Sequence, residues 1–103
     1  MTHYLVAGDR LKDRLERSAE AAGCRLTWMA ERSGAYDAVM FTGGAHRLTV
    51  GVIGLPAQQW VEQLDEYSVR LPGYVLMQLE VGCVEHRDEQ LLVELEAITV
   101  KEA

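Results

Sequence analysis

"FTGGAHRLTVGVIGLP", residues 41–56, decides between two kinds of fold. A glycine pair comes after an apolar run, and His46 and Arg47 stand close behind it. A phosphate-cradling loop would put a helix after the glycines, with its first amide groups aimed at the anion. Instead, Leu48, Val50 and Val52 alternate with Arg47, Thr49 and Gly51. The β-branched content is high and the period is two, so the segment reads as a strand. Gly43-Gly44 then reads as the tip of a hairpin, where glycine alone adopts positive φ at little cost. No lysine stands beside the glycines and no GxGxxG spacing occurs, so phosphate-loop chemistry is set aside. The GxxG at residues 51–54 lacks the helix and basic flanks of a nucleic-acid clamp.

Working back from this strand, "AYDAVMFT" (35–42) is apolar on both parities, as a central strand would be. Ser33-Gly34 is a two-residue hairpin signal, and "CRLTWMAE" (24–31) alternates as a half-buried strand. Residues 10–22 place Leu11, Leu15, Ala19 and Ala22 on one helical face, with Asp9 as N-cap and Gly23 as the C-terminal glycine. Residues 3–7 before Gly8 read as a short strand. Working forward, Pro56 suits a first helical position. Ala57, Trp60, Val61, Leu64, Tyr67 and Leu71 make an apolar stripe for a helix over 56–71, stopped by Pro72-Gly73. Residues 74–85 read as a long strand. Residues 89–100 fit either a helix stripe or a strand, and pairing with 74–85 favours the strand.

A three-residue loop at 86–88 sets a register for that hairpin. Val75, Met77, Leu79, Val81 and Cys83 then share a face with Leu91, Val93, Leu95 and Ala97. The opposite face sets Glu80 against Glu94 and Gln78 against Glu96, among Leu76, Val84, Leu92 and Ile98. The expected fold is one domain over residues 1–103, an α+β two-layer sandwich. Its mostly antiparallel sheet carries two helices on one face, in the order β-α-β-β-β-α-β-β. This order is related to the ferredoxin-like one and also reads as a duplicated strand-helix-strand-strand unit.

Composition narrows the function. The 103 residues are 49% apolar with a net charge of −6, an ordinary globular balance. No stretch is apolar enough to cross a bilayer. The start of the chain lacks the features of a secretory signal, so a cytoplasmic protein with reduced, buried Cys24 and Cys83 is expected. Lysine occurs only at 12 and 101 while arginine, alanine and glycine are common, which hints at a GC-rich bacterial or phage genome. Residues 1–50 carry seven Lys/Arg and six Asp/Glu, a balance of +1; residues 51–103 carry three and ten, a balance of −7. An acidic half argues against direct nucleic-acid binding and for a basic partner or plain solubility.

Catalytic and metal chemistry finds little support. His3, His46 and His86 stand at no metal-ligand spacing with one another or with the cysteines, and read as surface histidines. His86-Arg87-Asp88 matches three letters of a kinase loop without the rest of that signature. No cofactor and no metal is expected, and an enzyme is the less favoured reading. The favoured one is a non-enzymatic protein-binding module of inhibitor or immunity type. It would engage a basic protein through Glu80, Glu94 and Glu96 on the sheet, or through Glu62, Asp65 and Glu66 on the second helix. The alternative is a small-molecule binder with a pocket near Trp28, Tyr36 and Trp60, whose aromatics serve equally well as core. A symmetric homodimer accompanies either reading if the sheet face is exposed.

Overall fold

The alternation of Leu48, Val50 and Val52 does mark a strand, and it lies in the middle of the sheet. A computed structural model describes residues 3–38 and 41–102 of the chain. The elements run α1 (His3–Ala21), β1 (Arg25–Ala38), β2 (Phe41–Ile53), α2 (Ala57–Glu62), β3 (Tyr74–Arg87) and β4 (Gln90–Lys101). The four strands form one antiparallel sheet in the order β1-β2-β4-β3. The fold is therefore α+β, but the order is α-β-β-α-β-β, and the repeated unit is helix-strand-strand. The second strand of each unit meets the other at the centre of the sheet.

Residues 3–7 are helical, which corrects the expected first strand. Ala7, Leu11, Leu15 and Ala19 repeat every four residues and are fully buried, so the apolar stripe starts one turn before Leu11. Gly8 sits inside the helix because the sheet comes very close there: a Cβ on it would lie 2.7 Å from Ser33 Oγ. Ala22, expected on the stripe, is exposed. Gly23 ends the helix as expected, with φ 89° and its N–H donating to the Glu20 carbonyl.

The glycine pair is not a hairpin tip. Gly43 and Gly44 lie within β2, paired with Tyr36 and Ala35 on one side and with Val100 and Thr99 on the other. Their lack of a side chain serves close approach. A Cβ on Gly43 would run into the Thr99 carbonyl oxygen, and one on Gly44 would lie 2.9 Å from Tyr4 Cβ of α1. Ser33-Gly34 is not a turn either: β1 runs through it, with Ser33 opposite His46 and Gly34 opposite Ala45. The β1–β2 ladder continues to Ala38 opposite Phe41, and residues 39–40 of the expected strand 35–42 lie outside the described residues.

The second helix is shorter than its stripe. It ends at Glu62, and the Asp65 carboxylate accepts the N–H groups of Tyr67 (2.8 Å) and Ser68 (2.9 Å). Such local bonds compete with helix continuation. Leu64, Val69 and Leu71 are still buried, whereas Tyr67 is 88% exposed.

Residues 90–101 are a strand, and β3–β4 is the expected hairpin with a different register. The turn is Asp88-Glu89, with Asp88 at φ 56°, and Arg87 pairs with Gln90. Irregularities between Leu76 and Gln78 and between Val81 and Val84 shift the pairing twice more. Leu79 and Val81 do share the helix-side face with Leu91, Val93, Leu95 and Ala97. Val75, Met77 and Cys83 are exposed instead, and Leu76 is buried. Glu80 consequently lies beside Glu96, not Glu94.

One core joins α1, α2 and the inner sheet face, built on Leu11, Leu15, Leu48, Val50, Val93, Leu95 and Trp60. Trp60 Nε1 of α2 donates to Ser18 Oγ of α1 at 3.0 Å, which places both helices over the same side of the sheet. Each buried leucine of this core stabilises the fold by about 1.5–3 kcal/mol relative to exposure. No helix among the described residues is long and apolar enough to cross a membrane.

Candidate functional site

Strand alternation gives the sheet a second face, turned away from α1. The registers set four side chains of that face in a row across all four strands. Arg32 (β1) pairs with Arg47 (β2), Arg47 with Glu96 (β4), and Glu96 with Glu80 (β3). All four are exposed. Arg47 Nη2 donates to Glu96 Oε1 at 2.9 Å, the one cross-strand attraction in the row. The flanking pairs, Arg32 with Arg47 and Glu80 with Glu96, are like charges directly opposite, which destabilise a sheet mildly. An exposed ion pair offsets this by about 0.2–1 kcal/mol.

The adjacent row is Gly34, Ala45, Ile98 and Gln78. It is small on the basic half and large on the acidic half. All residues of the two rows except Glu80 line an open groove of about 680 Å³. Glu94 lies two residues along β4 from Glu96, opposite Thr49. Leu92, Ile98 and Val100 are half-buried on the same face.

The sheet face therefore brings Glu80, Glu94 and Glu96 together as expected, with two arginines beside them. Leu76 and Val84 do not join them: both lie on the helix-side parity, Leu76 buried against Thr99 and Val84 opposite Val93. The second acidic set is dispersed. Glu62 ends α2 and accepts from Gln58 Nε2, Asp65 is held by its own turn, and Glu66 lines a different surface hollow. These three form no single helix face, because the helix stops at Glu62.

The aromatic set is not assembled either. Trp28 Nε1 donates to Glu16 Oε1 with Lys12 Nζ 5.5 Å from its ring centroid, while Trp60 bonds Ser18. Glu16 and Ser18 point to opposite flanks of α1, since two helical residues are about 200° apart. Tyr36 lies eight positions along β1 from Trp28, roughly 26 Å in a strand. None of the three lines the groove on the open face.

On the helix side, sequence reasoning missed a buried polar cluster. His46 is 3% exposed, not a surface histidine. Its Nδ1 shares a hydrogen bond with Ser33 Oγ and its Nε2 with Thr99 Oγ1, both at 2.8 Å. Burial pushes the imidazole below its ordinary range. A serine beside a histidine is the beginning of a nucleophilic pair. Here the second ring nitrogen faces a hydroxyl and α1 closes over Ser33 at Gly8, so the cluster works as a satisfied joint between β1, β2 and β4. The signal in the sequence is parity: His46 shares a face with Leu48, Val50 and Val52.

Cys24 is buried, which pushes its thiol up, and Cys83 is exposed, contrary to expectation; both are free. Among the described residues no group of three or more His, Cys, Asp or Glu side chains could hold a metal ion. No family model matches the chain, and neither a curated protein nor a solved structure is detectably similar to it.

Proposed function

We propose that this chain is a non-enzymatic protein-binding module that works through the open face of its sheet. The helices form one layer and the sheet the other, so half of the sheet surface is left for a partner. The acidic half of the face, Glu80, Glu94 and Glu96, meets basic side chains of that partner, while Leu92 and Ile98 supply apolar contact. The single observation that supports this reading is the charged row. It sets like charges side by side, at a cost that opposite charges from a partner would offset. Carboxylates at this density repel a phosphate backbone, so the partner is a protein and not a nucleic acid. An inhibitor or immunity-type role requires only such a masking surface.

The test is retention from a host lysate on the immobilised protein at low and then high salt, with two triple variants beside the wild type. Glu80→Lys/Glu94→Lys/Glu96→Lys should lose the proteins that the wild type retains and salt releases. Glu62→Lys/Asp65→Lys/Glu66→Lys should keep them. Equal retention by the first variant would overturn the reading.

A further inference from the structure

The open face is complementary to itself, and we infer that its partner is a second copy of this chain. The inference rests on the reading of that face as a protein-binding surface. Across the sheet the charged row reads Arg32, Arg47, Glu96, Glu80, two positive charges and then two negative. A two-fold axis parallel to the strands, passing between β2 and β4, reverses this order in the second copy. Arg32 then faces the second copy's Glu80, and Arg47 its Glu96. Symmetry repeats both contacts, as an isologous interface requires.

Size obeys the same rule. The adjacent row reads Gly34, Ala45, Ile98, Gln78, small on the basic half and large on the acidic half. The same rotation puts Ile98 over Ala45 and Gln78 over Gly34. The groove lined by these residues is the recess that receives Ile98. One operation thus matches charge in one row and shape in the next. It also relieves both like-charge neighbours, which the isolated sheet does not.

The face is large enough. Four strands about 4.8 Å apart, with ten paired residues at about 3.3 Å each, span roughly 600 Å² in projection. A corrugated face exposes more than its projection, and a stable interface takes about 800 Å² of accessible surface per partner. Aligned sheets pack face to face about 10 Å apart with side chains interdigitating, the spacing this arrangement needs.

The test is solution mass by light scattering for the wild type and two charge variants. The wild type should have the mass of two chains and dissociate at high salt. Glu80→Arg/Glu96→Arg makes the row all positive and Arg32→Glu/Arg47→Glu makes it all negative, so each should be monomeric. Mixed in equal amounts, the two should recover the mass of two chains, with an affinity at least tenfold above that of either variant for itself. The four positions are exposed, and far-ultraviolet circular dichroism checks that each variant is folded. The milder Arg32→Gln/Arg47→Gln should raise the wild-type dissociation constant about tenfold, a second readout should a reversal variant misfold. A monomeric wild type overturns the inference but leaves salt-sensitive capture of another basic protein intact. A dimer that neither reversal disturbs places self-association elsewhere and also overturns it, as does a mixture that stays monomeric.

Discussion

His46 shows what single residues decide in this fold. Its imidazole is held between two hydroxyls under α1, and burial lowers its pKa. As pH falls through about 6.5, the unfolded chain gains a proton on this ring and the folded chain does not. The unfolded state is then favoured progressively, until the folded ring also protonates. Urea midpoints should fall from pH 7 toward pH 5 in the wild type, and less steeply in His46→Gln; parallel slopes would contradict this. Gly8 carries a second prediction. Alanine has the better helix propensity by about 1 kcal/mol, yet Gly8→Ala should destabilise by about 1–3 kcal/mol, because the new methyl meets Ser33 Oγ at 2.7 Å. The loss should shrink in a Ser33→Ala background, where that oxygen is gone, and additive losses in a double-mutant cycle would refute the contact. Little of this is legible in the sequence. Gly8 reads there as a break, because a close approach between a helix and a sheet leaves no trace in local sequence.

Element by element, periodicity is reliable and punctuation is not. Strand β2, the body of α1 and the β3–β4 hairpin emerge from apolar spacing, because burial enforces it over many residues. Glycine and proline signals mislead in both directions. Ser33-Gly34 and Gly43-Gly44 sit inside paired strands, where ladder bonds on the full length of β2 outweigh two local turn preferences. The β1–β2 ladder runs as far as Ala38 opposite Phe41, where no glycine stands. The helix expected over 56–71 fails at Asp65, whose carboxylate closes its own turn. Asp65→Ala should therefore destabilise by about 1 kcal/mol in a denaturant titration, as the loss of one such turn does, while leaving salt-sensitive capture unchanged. Loss of capture would place Asp65 in the interface instead. The register of β3 is out of reach for a simpler reason: the two-residue turn at Asp88-Glu89 and the irregularity between Val81 and Val84 set Glu80 beside Glu96 rather than Glu94 without altering the apolar pattern of β4.

At the scale of the whole molecule, the charge asymmetry along the chain becomes one across the sheet. The first half of the chain supplies β1 and β2 and the second half β3 and β4, and the order β1-β2-β4-β3 keeps the halves on separate sides. The excess of acid in residues 51–103 is legible at once, and strand parity makes Glu80, Glu94 and Glu96 neighbours. The arginines beside them are not legible, since Arg32 and Arg47 are fifteen positions apart and meet only once β1 is seen to run unbroken past Ser33. The central claim is that this face, and not the sheet edges or the helices, meets a second copy of the chain. The most direct measurement is the methyl NMR spectrum of the protein across a dilution series. The methyls of Leu92, Ile98 and Val100 should shift with concentration while those of Leu48 and Leu95, buried on the other face, stay fixed. Invariant spectra, or shifts confined to Leu5, Met29 and Val84, which are exposed elsewhere, would contradict the account.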